Sequence, residues 1–291
     1  MDLIKSIFMG LVQGIAEFLP ISSSGHLAII KHILHINTDT GLLFDVLLHL
    51  GTLIAIFIAF WKDIQELFVE GLKIIGDFLI NVGRLVKGLF SKKPVEFKPV
   101  ISTPYRRFVM LIIVSTIPTG IIGVVFKDAI EYVSLTLLVP GLCLILTGLL
   151  LNIADRVKTG KKSEKTASYK DAGLIGLAQG FATLPGLSRS GTTITACLLA
   201  GFDKSFAVKY SFIMSIPAVL GAAVLEMKDF SMDMVSQNDI FNYLVGTIVA
   251  GVVGYISIKT MLVIVKGKKF RFFSYYCFII GIIAVIGYFA L

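Results

Sequence analysis

Six stretches of the chain, roughly 42–61, 106–126, 134–153, 206–226, 240–264 and 271–291, are apolar for long enough to cross a bilayer as helices. A hydrocarbon core of ~30 Å takes about 17–25 helical residues. Two further apolar stretches, 1–36 and 171–201, break near their middles, at Pro20 to Gly25 and at Pro185 to Gly191. Their halves, of about 10–17 residues, are too short to span. Composition agrees. The 291 residues are 56% hydrophobic and only 16% charged, with mean hydropathy +0.87, whereas soluble domains carry roughly a quarter charged residues. Met1 to Lys5 has no basic leader, and no A-x-A site follows, so the N-terminus reads as part of the mature fold. Cys143, Cys197 and Cys277 lie far apart in apolar stretches and read as buried small hydrophobes rather than zinc ligands.

The basic residues set the orientation. Nine Lys and Arg fall within 62–107, six within 154–170 and four within 266–271. Residues 127–133 offer only Lys127, and 227–239 offer Lys228 against Asp229, Asp233 and Asp239. The three basic segments are therefore expected on the cytoplasmic side, and the two poor ones outside. The net charge of +8 reflects this topology and calls for no nucleic acid. Followed along the chain, the assignment makes 1–36 enter and leave from outside, and 171–201 enter and leave from inside. Both termini then lie outside. Residues 62–100, with apolar positions at helical spacing and scattered Lys, read as an amphipathic helix on the cytoplasmic surface.

A shift of 166 residues superposes the two broken segments. Gln13, Gly14, Ala16, Ser22, Ser24 and Gly25 fall on Gln179, Gly180, Ala182, Ser188, Ser190 and Gly191. Each copy precedes three spans. The expected fold is thus an all-α polytopic membrane protein: six transmembrane helices plus two re-entrant helical hairpins in an inverted-topology repeat. Repeat one covers 1–153, a cytoplasmic linker 154–170, and repeat two 171–291. In such repeats the site lies near the midplane, where the broken helices meet.

The copies differ in their chemistry. Glu17 corresponds to Thr183, Ser23 to Arg189 and His26 to Thr192. One tip combines acid, imidazole and hydroxyls; the other combines guanidinium and hydroxyls. Intramembrane ionisable groups mark function by default. Half-helices expected to start at Gly25-His26 and at Thr192 offer free N–H groups to an anion, and Arg189 suits phosphate oxygens. His32, His35 and His49 lack such a setting and read as structural or surface residues. Asp203 and Lys204 read as a solvated turn after the second hairpin.

Gln13-Gly-Ile-Ala-Glu17, Ser22-Ser-Ser-Gly-His26 and Pro185-Gly-Leu-Ser188-Arg189-Ser190-Gly-Thr-Thr193 together resemble the motifs of the undecaprenyl-pyrophosphate phosphatase, or bacitracin-resistance, family. The resemblance covers the whole chain. It implies a multi-pass protein of the bacterial plasma membrane that converts undecaprenyl diphosphate to undecaprenyl phosphate. Its site would open to the outer face, and its cofactor would be a divalent cation, Mg2+ or Ca2+. It further implies catalytic roles for Glu17, Ser23, His26 and Arg189, and phosphate contacts for Gln13, Ser22, Ser24, Gly25, Ser188, Arg189, Ser190 and Thr193. Glu17 is the expected metal ligand, because Gln13 stands where many relatives have Glu. The nucleophile is left open between Ser23, His26 and water. The partners are the polyprenyl diphosphate and membrane lipid, and homodimer assembly is left open. A secondary transporter or polyprenyl-phosphate flippase of the same architecture is the rival reading.

Overall fold

The structure, a computed structural model, describes residues 2–33, 38–90, 95–134, 136–227, 237–267 and 269–290. Twelve helices carry these residues, with no β-strand among them. They are α1 (Leu3–Phe18), α2 (Ser23–Ile33), α3 (Thr38–Ala59), α4 (Trp61–Phe90), α5 (Pro104–Val125), α6 (Lys127–Ser134), α7 (Leu138–Arg156), α8 (Tyr169–Phe181), α9 (Arg189–Leu199), α10 (Lys204–Met227), α11 (Gln237–Lys266) and α12 (Phe270–Ala290). Five of them, α5, α7, α10, α11 and α12, are long and apolar enough to cross a membrane. The α3–α4 pair makes a sixth, but it bends by 87° at Phe60. The span expected at 42–61 is thus α3, which ends where the charged Lys62 and Asp63 begin. The segment expected to lie on the surface is the 30-residue α4. His35 falls outside the described residues.

Both broken segments are helix pairs. The first break covers 19–22 and the second 182–188. α2 and α9 start at Ser23 and Arg189, earlier than Gly25 and Thr192, because Ser22 and Ser188 supply the caps. The serine hydroxyl takes the first free N–H group it can reach, which moves the helix start forward.

Packing follows small residues. Without a hydrophobic drive between helices in lipid, close approach needs positions without side chains. A Cβ on Gly10 of α1 would lie 2.3 Å from the Gly246 carbonyl oxygen of α11, and one on Gly176 of α8 would lie 2.2 Å from that of Ser115 in α5. α1 therefore lies along α11, and α8 along α5. α7 pairs with α12, where the Ser274 hydroxyl donates to the Gly148 carbonyl at 2.7 Å. Between these pairs α10 packs on α3, α5 and α9, and a buried cluster of Phe108, Phe202, Phe206 and Tyr210 fills its contact with α5.

α4 presents Phe68, Leu72, Ile75, Phe78 and Leu79 outward and turns Glu70 and Asp77 inward. These two carboxylates hold Arg106 at the start of α5, at 2.8 Å and 2.7 Å. Lys73 and Lys98 add further ion pairs, each at 2.6 Å. The cluster fixes the angle at which α4 leaves α3. Asp203 follows the turn after α9, and its carboxylate accepts from the Ser205 and Phe206 N–H groups and caps α10. The three cysteines are buried and free, as expected.

Candidate active site at the two helix breaks

The two breaks repeat one hydrogen-bond pattern. Ser22 Oγ accepts from the Gly25 N–H at 3.2 Å and lies 3.3 Å from Ser24 Oγ. Ser188 Oγ accepts from the Gly191 N–H at 3.1 Å and lies 3.3 Å from Ser190 Oγ. Each pair follows the same 166-residue shift as the sequence. The chain turns differently at each. At the first break Ser22 itself holds φ 70°, left-handed backbone that costs a non-glycine residue about 1–3 kcal/mol. At the second, Gly186 takes φ 88°, and a Cβ there would meet the Pro140 carbonyl oxygen at 2.2 Å. The tips also touch: the Gly186 N–H donates to Ser24 Oγ at 3.2 Å.

Glu17 joins them. Its Oε1 receives a close charged hydrogen bond from Arg189 Nη2, across 172 residues of sequence. Its Oε2 accepts from Ser23 Oγ at 2.5 Å and from Gln13 Nε2 at 3.1 Å. A buried carboxylate survives only when paired and hydrogen-bonded, and Glu17, 7% exposed, has three such partners. Ser23 and Arg189 occupy the first turns of α2 and α9, so the N–H ends of two helices point at this cluster.

A cavity of about 430 Å3 starts at the cluster. Glu17, Ser22, Ser23, Ser24, Ser188 and Arg189 line it together with residues of α3 and α8, and α5 and α10 supply much of the remaining wall, with Lys127 and Glu226 also in the lining. Five residues expected in the site are absent from this lining: Gln13, Gly25, His26, Ser190 and Thr193. Gln13 supports Glu17 from behind, and its Oε1 is buried without a partner. Gly25 stands against Gly186, where a Cβ would come within 2.9 Å of backbone. Thr193 is fully buried and bonds Ser211 Oγ at 2.5 Å.

His26 turns away from Glu17. Its Nδ1 bonds the Ser22 carbonyl at 2.8 Å, so this nitrogen carries the proton. Its Nε2 is 2.7 Å from the Tyr276 hydroxyl, and the two rings stack, with 3° between their planes. Both ring nitrogens are thus engaged away from the cavity. The imidazole that does line the cavity is His49 of α3. Its Nδ1 donates to the Asp45 carbonyl at 2.8 Å, and its Nε2 stands 3.9 Å from Glu17 Oε2. The sequence reading of His49, structural or surface, did not anticipate this placement beside Glu17. Its signal was present, an ionisable side chain inside an apolar span, but it lay outside both motifs. Among the described residues no three His, Cys, Asp or Glu side chains form a metal-holding group.

Comparison with known proteins agrees with the geometry. The chain is 43% identical over 286 residues to an undecaprenyl-diphosphatase of Methanosphaera stadtmanae, covering 98% of each. It is 40% identical over 288 residues to one of Methanobrevibacter smithii, covering 99% of this chain and 98% of the relative. It is 34% identical over 285 residues to undecaprenyl-diphosphatase 4 of Bacillus thuringiensis, covering 98% and 97%. The model of the bacitracin resistance protein BacA matches residues 6–283, and the chain belongs to that family.

Proposed function

We propose that the chain is a membrane phosphatase that hydrolyses undecaprenyl diphosphate to undecaprenyl phosphate and inorganic phosphate, returning a lipid carrier to cell-wall synthesis. One observation carries the reading: Arg189, Glu17 and Ser23 meet at two helix N-termini on a cavity whose lining is mostly apolar. A diphosphate fits the first half of that description, and a prenyl chain fits the second.

The roles follow from position. Arg189 and the N–H ends of α2 and α9 hold the terminal phosphoryl group and stabilise charge on its oxygens, the main need in phosphoryl transfer. Ser23 is the nucleophile: its hydroxyl already donates to Glu17, which takes the proton as Oγ bonds the terminal phosphorus and the bridging P–O bond breaks to release undecaprenyl phosphate. Water then cleaves the phosphoserine, releasing inorganic phosphate while Glu17 returns the proton to Ser23 Oγ. Gln13 and the ion pair with Arg189 keep the Glu17 carboxylate in place. His26 fixes the start of α2 by its bonds to Ser22 and Tyr276. A Mg2+ or Ca2+ ion suits the donor set only in part. Magnesium is commonly held by one or two carboxylates together with substrate phosphates, and Glu17 is the carboxylate at the tips. Glu17, with Ser23 beside it, would hold such an ion, which would neutralise charge on the phosphoryl oxygens.

The re-entrant, inverted arrangement belongs to the same proposal. Its support is the hydrogen-bond pattern recurring at both breaks and the exchange of partners, α1 on α11 and α8 on α5. An outward-facing site is supported by Lys127 and Glu226 in the lining of the cavity, beside the segments poorest in Lys and Arg. The test is phosphate release from a polyprenyl diphosphate by purified protein, with and without chelator. Release is expected. No release under either condition would overturn the reading in favour of a transporter.

A further inference from the structure

We propose that the prenyl chain of the substrate lies in a glycine-floored trough between α5 and α10 and leaves it sideways into the bilayer, so that this trough sets the preference for long-chain over short-chain diphosphates. The proposal rests on the phosphatase reading and adds to it the wall that holds the lipid. α5 and α10 touch on one side of their internal prolines, Pro118 and Pro217, where Tyr210 donates to the Leu111 carbonyl at 3.0 Å and Phe108 packs on Phe206. Beyond the prolines the two helices line the cavity. There a Cβ on Gly120, Gly123 or Gly221 would meet nothing within 4 Å. These glycines are therefore not close-approach sites like Gly10; they leave room that no side chain of the protein fills.

A further observation points to the same occupant. The trough is continuous with the Arg189 cluster, so an occupant anchored there by phosphate has its tail along these glycines. An isoprenoid chain longer than the cavity has to leave it. Both walls are helices apolar enough to cross a membrane, and Ile121 and Val224 stand exposed on their outer faces. A tail that leaves between them meets hydrocarbon and not water, at no hydrophobic cost.

Gly120→Leu and Gly221→Leu test the assignment, because a Cβ at either position enters open space and the rest of the side chain extends from there. Phosphate release is measured for a long-chain polyprenyl diphosphate and for water-soluble dimethylallyl diphosphate. The expected result is a loss of about tenfold or more in kcat/KM for the long chain, the scale on which apolar pockets discriminate, with a much smaller loss for the short one. Gly287→Leu, at an equally open position of α12 away from the cavity, is the matched control and should behave as wild type. Equal losses on both substrates, or no loss on either, would overturn the proposal. Binding of a non-hydrolysable polyprenyl methylenediphosphonate is read in parallel. If wild type releases no phosphate, the phosphatase reading fails, while weaker analogue binding in the two trough variants still upholds the lipid site, and unchanged binding rejects it.

Discussion

The two helix breaks share a scaffold and differ in chemistry. Ser22 and Ser188 cap α2 and α9 through hydrogen bonds of matching geometry, and each leans on a second serine two residues on. Around that common frame one break carries Glu17 and Ser23, and the other carries Arg189. The frame aims two helix ends at one point. The residues that differ supply a hydroxyl and a carboxylate from one side, and a fixed positive charge from the other. In the proposed mechanism these are the nucleophile, its proton acceptor and the phosphate anchor, so symmetry provides the place and its violation the reaction.

The largest effect on this contrast is expected at the first break. Ser23→Ala should lower turnover about a hundredfold or more in a phosphate-release assay. Retention of more than a few per cent of wild-type activity would rule out a phosphoserine route. At the second break Arg189→Lys keeps the charge and loses the planar fork, so a loss of about tenfold is expected. Near-normal activity would mean that charge alone suffices there and that the two breaks divide the work less sharply. The shared frame makes a prediction of equality. Ser22→Ala and Ser188→Ala each remove one cap, at a cost of about 0.5–2 kcal/mol. Thermal unfolding in detergent should show comparable shifts, and a shift confined to one variant would break the equivalence of the frames.

The smallest effect lies away from the breaks. Glu70 and Asp77 are held below their usual values of 4.5 and 3.8, first by hydrogen bonds from Lys73 and Lys98 respectively and then by Arg106. A lowered folded value means that their contribution is complete at neutral pH and is lost as acid protonates them, below those usual values. Hydrogen exchange in 61–103 should therefore rise below about pH 4, while α8 and α9 keep their protection. Unchanged exchange would remove the ion cluster as the anchor of α4.

Much of this was legible in the sequence. Five spans fall within a few residues of α5, α7, α10, α11 and α12, because long apolar runs bounded by charge leave few alternatives. Arg189 and Glu17 were readable as members of one shared site, since neither is tolerable in lipid alone, but their direct pairing was not. Side-chain direction was not readable. Nothing in Ser22-Ser-Ser-Gly-His26 shows that His26 bends back to its own carbonyl at Ser22 and to Tyr276, 250 residues away. Nor does the sequence show that His49, one turn beyond Asp45, faces Glu17 instead. The helix starts were misplaced for a local reason: glycine suggested the end of each break, but the serine caps act earlier.

The exchange of partners between the halves bears on how the protein is made. α1 emerges first, yet the helix it lies along, α11, is among the last to be synthesised. Until α11 is made Gly10 and Gly14 have no backbone to close on, and until α9 is made Glu17 has no arginine. The first half must wait in the membrane with a carboxylate held only by neutral donors, Ser23 and Gln13, and the second half supplies both the cation and the packing partner. An isolated half should therefore be both unstable and inert, and two halves made as separate chains have a reason to find each other.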